Sequence, residues 1–139
     1  MIMNKMTLYY FCILLSISKM FYTIIRGIKY AFKDDDGKTK HSLSLPAVVH
    51  PNGTKEWWLD GVRHRKNGPA ILFDDGGEEW WVNGVRHRKN GPAVSYANGH
   101  KEWWYKGSRH REDDAAVEYN NGDKEFWEYG TLLFEHKNN

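Results

Sequence analysis

The sequence predicts an all-β protein, an elongated antiparallel β-meander built from stacked 23-residue hairpin repeats, with a hydrophobic N-terminal segment ahead of it. Three observations predict it. First, His41, His64, His87 and His110 recur every 23 residues, as do Glu56, Glu79, Glu102 and Glu125, and Trp58, Trp81, Trp104 and Trp127. A fixed period of this size marks an array whose units bury their faces only by stacking on neighbours. Second, each unit carries two turn dipeptides, such as Asn83-Gly84 and Asp75-Gly76. Third, the runs between them are short and rich in Val, Ile, Trp, Tyr and Phe, which suit strands.

At 139 residues the chain has room for one domain. Residues 1–33 form the hydrophobic segment, 34–134 an array of about four units, and 135–139 a tail. Residues 6–18 are free of charge, Lys19 interrupts, and a second apolar run follows before Arg26. Three readings fit: a cap packed on the first repeat, helical or strand-like; a membrane anchor over residues 6–25; or a secretory signal cut after Ser18. Asp34 to Gly37 is a charged break. The unit after it is worn, with Ser42 and Leu45 where later units have Arg and Gly.

Within the array, the better unit is residues 62–84. Asp60-Gly61, Asn83-Gly84, Lys106-Gly107 and Tyr129-Gly130 form one turn series. Asn52-Gly53, Asp75-Gly76, Asn98-Gly99 and Asn121-Gly122 form the other. Both read as two-residue turns with positive φ at both central positions. Pro69 and Pro92 start strands, since proline lacks an amide donor. Three short strands per unit follow. The register pairs Leu59 with Val62, Trp58 with Arg63 and Glu56 with Arg65; at the other turn it pairs Tyr96 with Lys101 and Val94 with Trp103.

Register fixes faces, because strand side chains alternate. One face is expected to collect Val48, Ile71, Val94 and Val117, the aromatic column Phe73, Tyr96 and Tyr119, the first tryptophans Trp57, Trp80 and Trp103, and the histidines. This is the expected core. The opposite face collects Ala70, Ala93 and Ala116, the second tryptophans, the glutamates and the arginines. There Trp58, Trp81 and Trp104 with Arg63, Arg86 and Arg109 are the candidate binding residues. Glu56–Arg65, Glu79–Arg88 and Glu102–Arg111 are expected as exposed structural ion pairs. On this register, removal of the Trp80 side chain unfolds the array locally, whereas removal of Trp81 spares the fold. In the last unit Leu132, Leu133 and Phe134 replace Arg-His-Arg, with Phe134 facing Glu125 and Leu132 facing Trp127. Terminal repeats are usually atypical.

The stretch Trp81-Val82-Asn83-Gly84-Val85-Arg86-His87 resembles the MORN (membrane occupation and recognition nexus) repeat, and the resemblance covers about residues 38–134. Glu-Trp-Trp stands where that family usually has Gly-Glu-Trp, and Gly-Pro-Ala follows later. In this the chain is similar to the divergent WWxNGxxHRxxGPA arrays of large DNA viruses and phages. The resemblance implies a sheet of stacked hairpins used in scaffolding, dimerisation or membrane-proximal assembly.

Charge and motifs narrow the function classes. The formal net charge is +2, but residues 39–130 carry 13 basic and 14 acidic side chains, so the array offers no broad basic field for nucleic acid. Residues 85–107 sum to +4 and 108–130 to −4, which suits self-association or a mixed-charge partner. The single cysteine, Cys12, excludes a disulfide framework and fits a reducing, intracellular compartment. The histidine column is expected to be structural, each imidazole packed beside a tryptophan and bonded to a carbonyl. Equivalent rings lie about 14 Å apart across two intervening strands, too far for one zinc. No metal, no cofactor and no small-molecule substrate are expected. No nucleophile–base pair, phosphate loop or unique carboxylate pair is present, so catalysis is not expected. The expected function is a protein–protein interaction or assembly scaffold. A membrane-surface module held by the N-terminal segment is the alternative.

Overall fold

The computed structural model describes residues 21–25, 27–32, 40–41 and 45–139. Among them there is no helix. One antiparallel sheet of eleven strands runs from Phe21–Ile25 at one edge to Thr131–His136 at the other. The all-β meander expected from the sequence is therefore the architecture.

Each unit contributes two short strands to this sheet. In the second unit they are Ile71–Leu72 and Glu78–Glu79. Glu79 pairs back with Ile71 and forward with Val94 of the next unit. At Trp80 the strand turns a corner. The Trp80 amide donates to the Ala93 carbonyl of the next unit, while its carbonyl accepts from His87 of its own. Beyond the corner, Trp81–Val82 pairs only with Val85–Arg86, forming a hairpin tip. The tips form a second ladder. Gly84 N donates to Arg63 O, Arg65 N to Trp81 O, and Gly107 N to Arg86 O. Each unit is thus three strands, as expected, with the middle one bent.

The two turn series differ, and this corrects the expected faces. At Asn83-Gly84 both residues have positive φ, 49° and 80°, as a two-residue hairpin turn requires. At Asn98-Gly99 only Gly99 has positive φ, at 92°. There Gly99 N donates to Tyr96 O and Tyr96 N to His100 O, enclosing a three-residue loop. This is a tight turn followed by a left-handed glycine, the next most common hairpin solution. The Asn98 side-chain oxygen accepts the His100 amide, and Asn52, Asp75 and Asn121 do the same for the amide two residues on. Val94 therefore opposes Glu102, not Trp103, and Ser95 opposes Lys101.

That one-residue shift reassigns the columns. The valines, the aromatic column, the glutamates, Trp58, Trp81 and Trp104, and Arg63, Arg86 and Arg109 share one side. The alanines, Trp57, Trp80 and Trp103 and the histidines lie on the other. Both sides bury residues at the corner. Val48, Val94 and Val117 are fully buried on one, and Ala70, Ala93 and Ala116 on the other. The alanine column is thus core, not surface.

At the N-terminal end, Ile28–Phe32 joins the sheet, with Tyr30 opposite Val48. Ala31 N donates to Ala47 O, and Phe32 bridges Lys40. Ala31 and Phe32 thereby stand where later units place their two tryptophans, and Lys40 stands where they place the first arginine. The sheet extends into the segment that the sequence set apart. Residues 1–20, which carry the signal reading and most of the anchor reading over residues 6–25 and of the cap reading over residues 1–33, lie outside the described residues.

At the far end Trp127 opposes Leu132 as expected. An irregularity between Phe126 and Trp127 puts Phe134 opposite Phe126 rather than Glu125. Their rings stack at 4.2 Å between centroids.

Candidate functional site

The columns brought to one side build a continuous ladder. Arg63 lies over both Trp58 and Trp81, at 5.3 and 5.5 Å from the ring centroids. Arg86 lies over Trp81 and Trp104, each at 5.2 Å. Arg109 lies over Trp104 and Trp127, at 5.5 and 5.1 Å. Lys40 begins the series over Tyr30 and Trp58. Sequence reasoning paired each arginine with the indole of its own unit. The ladder instead joins units, because the tips stack on one another. Each partly desolvated cation–indole contact contributes on the order of 0.5–1 kcal/mol.

Beneath the ladder run the glutamates. Glu56, Glu79 and Glu102 are buried, at 9%, 8% and 5% exposure. Trp81 Nε1 donates to Glu79 Oε2 at 2.7 Å and Arg86 Nη2 to Oε1 at 3.1 Å. Glu56 takes Trp58 Nε1 at 3.0 Å and Arg63 Nε at 3.3 Å. Glu102 takes Trp104 Nε1 at 2.8 Å, with Arg109 Nε 3.5 Å away. The expected pairs Glu56–Arg65, Glu79–Arg88 and Glu102–Arg111 are thus replaced by pairs with Arg63, Arg86 and Arg109. The cause is the corner, which ends strand pairing before the second arginine. Arg65, Arg88 and Arg111 stack on Trp57, Trp80 and Trp103 at 3.7, 3.9 and 4.1 Å, and bond the carbonyls of Pro69, Pro92 and Ala115. Arg111 also reaches Glu118 at 2.8 Å.

Burial works to raise the Glu56 carboxyl, but the His50, Arg63 and Trp58 contacts outweigh it and hold the group below its ordinary range. Glu102 is likewise held low: burial opposes, while Trp104, Arg109 and His100 prevail. A further row of donors, read from the sequence only as an aromatic column, meets the glutamates. His50 Nε2 meets Glu56 Oε1 at 2.7 Å, Tyr96 Oη donates to Glu102 Oε1 at 3.4 Å, and Tyr119 Oη donates to Glu125 Oε1 at 2.6 Å. The Glu125 bond, with burial, pushes the Tyr119 phenol up to about 12. His50, Phe73, Tyr96 and Tyr119 occupy one position of the period, and that spacing was the available signal.

The histidines cap turns. His64 Nδ1 accepts the Asn83 amide at 3.1 Å, and His87 Nδ1 the Lys106 amide at 3.2 Å. The expected carbonyl bond is thus replaced by an amide bond from the next unit's turn. Among the described residues no group of His, Cys, Asp or Glu has the arrangement to hold a metal ion. Among them, too, no helix is long and apolar enough to cross a membrane.

No family model matches the chain, and no curated protein matches it.

Proposed function

We propose that this protein is a non-enzymatic, MORN-like assembly scaffold that joins a second copy of itself through its C-terminal sheet edge. The observation that carries the reading is the Thr131–His136 strand. It ends the eleven-strand sheet. Leu132, Leu133 and Phe134 are 41%, 56% and 55% exposed there. An open edge presents unpaired amides and carbonyls, and natural edges are usually blunted by charge, proline or a covering element. This one is blunted only beyond Phe134, by Glu135 and His136. Two such strands meeting antiparallel about Leu133 and Phe134 place Leu132 opposite the partner's Glu135, with no like charges opposed. The chemistry-bearing side chains support a non-enzymatic role, because the glutamates, arginines and capping histidines repeat as structural bonds rather than converging at one place.

Sedimentation of the full chain tests the reading. A dimer is expected, and Leu133→Lys should give a folded monomer with an unchanged far-ultraviolet spectrum. A wild-type monomer at every attainable concentration, or a dimer indifferent to Leu133→Lys, would refute edge pairing.

A further inference from the structure

The glutamate row is uniform except at one place. Glu56 has His50, Glu102 has both Tyr96 and His100, and Glu125 has Tyr119 as an additional partner. At Glu79 the equivalent of Tyr96 is Phe73, which has no donor, and the equivalent of His100 is Gly77, which has no side chain. Among the described residues, Glu79 therefore holds only Trp81 and Arg86. The groove of about 720 Å³ on this side opens at that gap. Its walls include Phe73, Asp74, Glu79, Trp81, Arg86 and His50. This volume lies in the ordinary range for ligand sites.

We propose that this groove binds a protonated amine carrying an apolar body, which donates to Glu79 in place of the missing hydroxyl and imidazole. Three features select that chemistry. A carboxylate has room for two to four acceptor contacts and here uses only part of that capacity. The carboxylates of Glu56, Glu79 and Asp74 outnumber the guanidinium groups of Arg63 and Arg86 along the lining. The Phe73 ring, 38% exposed, and the Trp81 indole offer apolar and π surface beside the charge. The amine is held and not transformed. Both a free amine and a lysine side chain of another protein have this chemistry. The proposal is independent of the C-terminal edge.

The Trp81 indole N–H, bonded to Glu79, is a built-in reporter. In nuclear magnetic resonance titrations of the full chain, phenethylammonium should move the Trp81 indole signal to saturation and leave Trp104 in place. The neutral isostere 2-phenylethanol should bind roughly 10-fold more weakly, the scale of a charge-assisted hydrogen bond. Phe73→Tyr supplies the internal hydroxyl that Tyr96 and Tyr119 already supply in later units, so it should keep the fold and weaken phenethylammonium by a similar ~10-fold. Glu79→Gln, which still accepts from Trp81, should do likewise. A parallel titration with acetyl-Gly-Lys-Gly-amide separates the sources. Tighter binding of the peptide identifies a protein lysine, and tighter binding of phenethylammonium identifies a free amine. Absence of saturation, equal binding of the alcohol, or wild-type affinity in both variants would overturn the proposal.

Discussion

Arg86→Ala is the sharpest perturbation of the ladder. Arg86 bonds Glu79 Oε1 at 3.1 Å and lies 5.2 Å from each of two indoles. Removing a charged hydrogen bond costs about 1.5–3 kcal/mol. Losing two cation–indole contacts adds about 0.5–1 kcal/mol each. Two effects reduce the sum. The Arg86 side chain is 29% exposed, and the groove admits water to the abandoned carboxylate. A loss of about 2–3 kcal/mol is expected, above the ~0–1 kcal/mol of a surface pair. Urea unfolding followed by tryptophan fluorescence measures it. A double-mutant cycle makes the test specific. Glu79→Gln combined with Arg86→Ala should show a coupling of about 1.5 kcal/mol or more, while Glu79→Gln with Arg88→Ala should be additive within ~0.5 kcal/mol. The opposite pattern would restore the pairing read from the sequence and refute the observed register.

Other consequences follow from single positions. Lys106 occupies the left-handed region at φ 49°, where Asn83 stands in the preceding unit; Lys106→Asn should stabilise by about 0.5–1 kcal/mol, read from the urea midpoint. Glu56 and Glu102 are held below the ordinary 4.5 in the folded chain, so the unfolded chain binds more protons as pH falls past that value. Their contribution is complete above pH 4.5 and lost below it as each folded carboxyl protonates, so the melting temperature should hold down to that pH and then drop. Tyr119, raised to about 12, has the reverse sign. Its contribution is complete below 10 and fades as pH rises toward 12, and an absorbance titration at alkaline pH should show a late phenol that Tyr119→Phe removes.

The period, the turns and the tip register were legible in the sequence because each has a local chemical cause. Asp60-Gly61 between strand formers dictates Trp58 opposite Arg63, and that pair is present. The faces were not legible, because Asn-Gly serves two loop lengths. Asn83-Gly84 takes two left-handed residues, whereas Asn98-Gly99 takes one. A single added loop residue moves valine from the first tryptophan column to the second. The corner at Trp80 was also hidden. It is made by a hydrogen bond from the Trp80 amide to the Ala93 carbonyl of the next unit, a partner that only the stacked array brings within reach. Trp80 and Trp81 are both half-buried, so Trp81→Ala is now expected to cost stability as Trp80→Ala does. Trp81 holds the buried Glu79 and two arginines in place.

The arrangement rests on the three-residue loops, since they put the valine and tyrosine columns on the side of the glutamates, indoles and guanidinium groups. Backbone nuclear Overhauser contacts across the Tyr96–His100 hairpin test this directly. The dominant cross-strand contact is expected between Ser95 and Lys101. A dominant contact of Ser95 with Glu102 would mean a two-residue turn and would contradict it.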